Sequence, residues 1–115
     1  GQRYSRNIRV TRIVDTFLEH ARIWYFGNGG NPKLFLGSPD WMRRNLYRRI
    51  EAVTPILDPD AKQELIDMLS IQLSDKRKAC FVDENLHNCW KSAHPLKEKV
   101  RSQYTFYEYL KERIE

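Results

Sequence analysis

Apolar residues recur at two different spacings along this chain, and the change from one to the other marks out its elements. Val10, Ile13, Val14, Phe17 and Leu18 fall at helical intervals, which predicts an amphipathic helix over residues 8 to 19. From Arg22 to Phe26 the residues become aromatic and β-branched, as a strand prefers. Gly27-Asn28-Gly29-Gly30-Asn31-Pro32 must turn, because Gly and Asn accept positive φ and Pro cannot donate to a ladder. Lys33 to Leu36 returns as the second strand of a hairpin. Ser38-Pro39-Asp40 breaks that strand and opens a helical turn through Trp41 and Met42. Arg49 to Thr54 reads as a further short strand.

Asp58-Pro59 is a helix start, with Asp at the N-cap and Pro in the first helical position. Ala61, Leu65, Met68, Leu69 and Leu73 then line one apolar face that ends near Asp75. Lys78 to Val82 suits a strand and Asn85 to Pro95 a loop. Leu96, Val100, Tyr104, Tyr107, Leu110 and Ile114 form the stripe of a long final helix. Helices and strands mixed in this order, with no repeat or low-complexity linker, place the chain in the α/β class. Gly1 to Asn7 is polar and basic with no signal for the start of a domain, as if cut from a longer chain.

At 115 residues there is room for one domain with a core of its own. Hydrophobic content of 41% and charged content of 30% are those of a globular domain. A net charge of +5 favours polyanionic partners: nucleic acid, phosphorylated substrates or an acidic membrane surface. The same charge also serves plain solubility. No apolar run approaches the roughly 18 residues of a membrane-spanning helix, and no signal peptide opens the chain. Cys80 and Cys89, with His87 between them, are too few and too widely spaced for a structural metal site. They read as reduced thiols of a cytoplasmic protein.

His20 stands where the first helix would end and the strand begin. Residues two apart on a strand share a face, so His20 and Arg22 should point the same way. An imidazole beside a guanidinium suits a phosphate: the arginine holds oxygens in its fork while the histidine attacks phosphorus or exchanges a proton. On spacing alone, a capping or surface His20 is the simpler account, because helix ends favour cationic side chains.

Arg43, Arg44, Arg48 and Arg49 follow directly on Asp40. Each could neutralise about one phosphate of a polyanion; a solvated basic face is the plain alternative. Trp24, Tyr25, Phe26, Phe35 and Trp41 could stack on bases, although their alternation on a hairpin favours sheet packing. The Gly-rich turn lacks the Lys-Ser/Thr of a phosphate-binding P-loop. His87, in a polar loop, and His94, before Pro95, have no motif around them.

The stretch from Phe17 to Glu51, FLEHARIWYFGNGGNPKLFLGSPDWMRRNLYRRIE, resembles the C-terminal region of bacterial polyphosphate kinases, whose closing domain belongs to the phospholipase D-like fold group. The likeness extends from IRVTRIVDTFLEH to VRSQYTFYEYL. Phospholipase D-like enzymes carry His-x-Lys and then, after a strand and turn, a Gly-Ser-x-Asn type segment. Polyphosphate kinases are similar, with Arg for Lys and Asp for Asn. His20-Ala21-Arg22 stands in the first position and Gly37-Ser38-Pro39-Asp40 in the second. Two departures stand out. The family reads Leu-Ser-Ser-Ala-Asp-Trp-Met where this chain has Leu36-Gly37-Ser38-Pro39-Asp40-Trp41-Met42, and it favours Asp where this chain has Tyr47.

The resemblance implies a phospholipase D-like mixed sheet packed by helices. Residues 1–115 would belong to the second such domain of a polyphosphate kinase, with the N-terminal part of that domain missing. Such an enzyme reversibly transfers the terminal phosphate of ATP to inorganic polyphosphate through a phosphohistidine in the preceding domain. This chain would give one wall of the site and be inactive alone. His20 is then the partner histidine, acting by acid–base chemistry or phosphate binding. Arg22, Ser38, Asp40, Arg44 and Arg49 would bind phosphate, and Glu51 would orient Arg49. Mg²⁺ would arrive with ATP and be held mostly outside this chain. The implied partners are ATP or ADP, inorganic polyphosphate and the preceding domains, in a cytoplasmic or peripherally membrane-associated homo-oligomer with no specific nucleic acid. Charge and aromatics also admit a basic nucleic-acid-binding module, or a phosphodiesterase half-site in which two copies of His20 meet. The Asp40-Trp41-Met42 and Arg44-Asn45-Leu46 wording weighs against both.

Overall fold

Branched and aromatic side chains lose rotamer freedom against the preceding turn of a helix, and the strands of this protein form where such residues cluster. The computed structural model describes residues 7–90 and 100–114. In chain order its elements are β1 (Thr11–Ile13), β2 (Arg22–Phe26), β3 (Lys33–Gly37), α1 (Arg43–Arg48), β4 (Val53–Pro55), α2 (Pro59–Ser74), β5 (Ala79–Val82), β6 (Asn88–Trp90) and α3 (Ser102–Ile114). The expected α/β order is present, with its strands shared between two three-stranded antiparallel sheets. Two compact units divide the chain: Leu18–Ile66, and Gly1–Phe17 together with Asp67–Glu115.

In the first unit, β2 and β3 form the expected hairpin, with Arg22 opposite Gly37 and Phe26 opposite Lys33. The Gly-rich turn is a 3-10 turn at Asn28–Gly30, where Asn28, Gly29 and Gly30 all take positive φ. β4 joins the free edge of β3, Gly37 lying opposite Val53. Leu34, central in β3, is fully buried. The helical turn expected at Trp41 and Met42 starts later, because Met42 is extended (φ −97°, ψ 150°) and α1 begins at Arg43. The strand expected over Arg49 to Thr54 is cut to its end: pairing begins only at Val53. Asp58 caps α2 as expected, accepting the Ala61 amide at 2.8 Å.

In the second unit the sequence expectation for residues 8 to 19 is overturned. Thr11–Ile13 is a strand, not a helix, and pairs with β5 from Thr11 opposite Phe81 to Ile13 opposite Ala79. The amides of Val14 and Val82 extend the pairing to Lys78 O and Val10 O, each at 3.0 Å. Ile8, Val10, Thr11, Ile13 and Val14 are all β-branched, a run that a sheet edge accommodates better than a helix. β6 lies in the stretch expected as loop and pairs with β5, Cys80 facing Trp90. Residues 91–95 of that loop, His94 and Leu96 lie outside the described residues. Cys80 is buried and Cys89 exposed, both as free thiols.

A buried carboxylate joins three elements of this unit. Asp75, at the end of α2, accepts the amides of Arg77, Lys78 and Ala79 on Oδ1 at 2.9, 2.7 and 3.1 Å, and the Ser102 amide on Oδ2 at 2.7 Å. Burial pushes its carboxyl up, but the amides of Ser102, Lys78 and Arg77 together push it below its ordinary value. Asp75 therefore shapes the entry to β5 and caps α3 with one side chain. Asp15, after β1, takes the Arg101 guanidinium, with Nε 2.8 Å from Oδ2. That hydrogen bond lowers the Asp15 carboxyl from 3.8 to about 2.

Asp75→Ala should destabilise the fold by about 3 kcal/mol in urea unfolding, since buried amides lose their acceptor. A loss under about 1 kcal/mol would show that water replaces the carboxylate. Folding favours ionised Asp15, so its contribution is whole above pH 3.8 and is lost as pH falls through about 2. Arg101→Gln should therefore cost roughly 2 kcal/mol at neutral pH, and its acid unfolding curve should converge with that of the parent as the pH nears 2.

Candidate functional site

One end of the β2–β3 hairpin gathers the residues singled out from the sequence. Arg22 opens β2 and Gly37, its partner, closes β3, so the chain before Arg22 and the chain after Gly37 leave the sheet side by side. His20 lies on the first of these segments, Ser38 and Asp40 on the second. The Arg22 guanidinium joins them. Its Nη2 donates to Asp40 Oδ1, while its Nη1 donates to the His20 carbonyl and lies 3.3 Å from His20 Nδ1.

The electrostatics follow from this junction. The Asp40 carboxyl sits below the ordinary carboxylate value, chiefly through the hydrogen bond from Arg22, with the positive fields of Arg22, His20 and Arg44 adding to it. Arg44, in the first turn of α1, thus acts on the same carboxylate as the hairpin residues. Among the described residues no helix precedes His20, so a helix-capping role for this residue falls with the helix expected over residues 8 to 19. His20 is exposed, whereas Arg22 and Asp40 are half-buried.

The remaining candidates are less closely joined. Ser38 is exposed and has no hydrogen-bond partner among the described residues. Arg43, Arg44, Arg48 and Arg49 are all exposed and form no ion pair among the described residues. Arg49 follows α1 in an extended conformation (φ −122°, ψ 149°). Glu51 makes no ion pair with Arg49; its Oε1 instead accepts the Asn45 side-chain amide at 2.6 Å. Asn45 was not singled out from the sequence. The one signal for it was an uncharged amide inside an arginine run. Asp83 caps the β5–β6 turn, accepting the Asn85 and His87 amides on Oδ1 at 2.9 and 2.7 Å, with the His87 ring 3.2 Å from its Oδ2.

Phe26 and Phe35 meet edge-on, with centroids 6.0 Å apart, which is the sheet packing expected of the hairpin aromatics. Trp41 differs in standing off the sheet at 81% exposure. Gly37 is required by a close approach: a Cβ there would lie 2.8 Å from Ala52 O and 3.0 Å from Pro39 Cδ. Among the described residues no cluster of three or more His, Cys, Asp or Glu side chains could hold a metal ion, and no helix is long and apolar enough to cross a membrane.

The hairpin end thus brings together a titratable ring and a guanidinium–carboxylate pair on an α/β scaffold, with the exposed arginines of α1 following in the chain. The profile of the polyphosphate kinase C-terminal domain 2 family matches residues 1–103, and the chain belongs to that family. Over 107 residues, 93% of its length, the chain is 46% identical to the polyphosphate kinase of Escherichia coli K12 and covers 15% of that protein. The polyphosphate kinase of Klebsiella pneumoniae gives the same identity over 93% of the chain and 16% of the relative. A crystal structure of polyphosphate kinase from Porphyromonas gingivalis superposes with a TM-score of 0.85 at 55% identity, covering 94% of this chain and 16% of that one. The chain thus spans about one sixth of the length of the relatives it matches.

Titration of the Asp40 carboxyl carbon by NMR should give a value below 3.8 in the parent, rising in Arg22→Gln. An unchanged titration would show that Arg22 does not hold this carboxylate in solution.

Proposed function

We propose that this chain forms one wall of the active site of an ATP:polyphosphate phosphotransferase, as part of the second phospholipase D-like domain of a longer polypeptide. The observation that carries the reading is the single guanidinium joining His20 to Asp40, in a chain of this family. In the proposed reaction a histidine outside this chain attacks the γ-phosphorus of ATP. The bond to the β-phosphate oxygen breaks, ADP leaves, and a phosphohistidine remains. A terminal oxygen of polyphosphate then attacks that phosphorus and the P–N bond breaks, so polyphosphate gains one unit and the histidine is restored. Both steps run in reverse from polyphosphate and ADP.

The work of this chain is electrostatic. Two polyanions must approach each other, and the arginines offset their repulsion. Arg44 and Arg49 bind phosphate oxygens, and Ser38 offers a hydroxyl at the same turn. Arg22 binds phosphate with the donors that His20 and Asp40 leave open, and keeps those two residues in register. His20 faces the transferred group as proton donor or phosphate ligand. Mg²⁺ would lower the charge of the nucleotide phosphates. Asp40 is engaged by Arg22 and Glu51 by Asn45, and the described residues hold no cluster of three or more such ligands, which supports a reading in which the ion comes with the nucleotide and is held mostly outside this chain. We place the protein in the cytoplasm, where its two free thiols stay reduced.

The test is binding of long-chain polyphosphate and of single-stranded DNA across a salt series, for the parent, His20→Ala and Arg44→Ala/Arg49→Ala. Polyphosphate should be preferred. The double substitution should reduce the slope of log K against log salt by about 2, roughly one unit for each arginine. Equal affinity for both polymers, indifferent to His20, would reduce the site to a basic surface and favour the nucleic-acid reading.

A further inference from the structure

Asn45 is the polar side chain of this region that chain chemistry least explains. It sits in α1 between exposed arginines, yet is only 7% exposed itself. Its Nδ2 donates to Glu51 Oε1 at 2.6 Å, a charge-assisted bond from a helix to the segment beyond its end. Its Oδ1 is buried without a partner. A buried acceptor left empty is unfavourable, so the amide is kept in place by what its other end holds. Turning the amide over would set its oxygen against the Glu51 carboxylate, which fixes the orientation. Glu51 lies two residues beyond Arg49, whose own backbone is extended (φ −122°, ψ 149°).

We propose that Asn45 is a positioning residue for polyphosphate binding: by bonding Glu51 back to α1, it sets where Arg49 stands relative to Arg44 along the phosphate chain. This rests on the phosphotransferase reading. The bond ties both ends of the arginine run together, Asn45 within α1 and Glu51 beyond it. Arg44 and Arg49 are then spaced by the bond rather than by two flexible side chains alone. Asn45 does not touch substrate; it acts through Glu51.

The experiment is a double-mutant cycle in the full-length polypeptide, reading ATP formed from ADP and polyphosphate, with melting temperature measured in parallel. Asn45→Ala and Glu51→Ala should each raise KM for polyphosphate about ten-fold with kcat within three-fold, the loss of one charge-assisted bond. The double substitution should be no worse than either single one. Asn45→Asp/Glu51→Gln exchanges donor and acceptor, so it should restore both the melting temperature and KM to within about three-fold of the parent, because the tie is remade with its ends reversed. Additive losses, an unchanged KM in Asn45→Ala, or an exchange that restores the melting temperature but not KM would each overturn the proposal. Should Asn45→Ala fail to fold, the exchanged pair still decides between these outcomes. A parent polypeptide that forms no ATP, or a His20→Ala variant as active as the parent, would sink the phosphotransferase reading instead.

Discussion

The guanidinium of Arg22 reaches in two directions, back to the carbonyl and ring of His20 and across the sheet to Asp40, and the candidate site has its shape because both reaches succeed at once. That depends on register. With Arg22 opposite Gly37, the residue two before the strand and the residue three after its partner emerge together. A slip of one residue would turn Arg22 to the other face of the sheet and separate all three groups. The Gly-rich turn is what holds the register, since its three consecutive positive-φ residues allow only one length of connection between the strands.

The other unit depends on a different kind of constraint. Its buried residues are small or polar: Ala79 and Cys80 in β5, Asp75 and Ser102 at helix ends. Apolar burial alone is therefore modest there, and directional bonds to the Asp75 carboxylate do part of the organising. One side chain answers the first free amide of α3 and the amides leading into β5. Many large apolar side chains, such as Leu18, Ile50 and Leu57, stand more than 80% exposed. In relatives about six times as long, such side chains have further protein available to cover them.

The hairpin, the Asp58 cap and the pairing of His20 with Arg22 were legible in the sequence because each rests on local rules: turn chemistry, capping geometry and the two-residue period of a strand. Asp40 entered only through the resemblance to polyphosphate kinases. β1 was not legible because its partner lies almost seventy residues away, and Val10, Ile13 and Val14 match a helical template as well as a strand edge. β6 was hidden for the same reason, its pairing with β5 overriding a polar, loop-like composition. The Asn45–Glu51 bond was out of reach because neither hydropathy nor charge spacing reports which uncharged amide is buried. Glu51 was expected to orient Arg49, and its bond goes to Asn45 instead.

Gly37 and Pro39, which together make one departure from the family's wording, share one space. A side chain at position 37 would press on the Pro39 ring and on the Ala52 carbonyl together. Serine at 37 would meet the Ala52 carbonyl before it met the ring, so a side chain fits there only if the backbone moves, and Ser38 and Asp40, one and three residues on, would move with it.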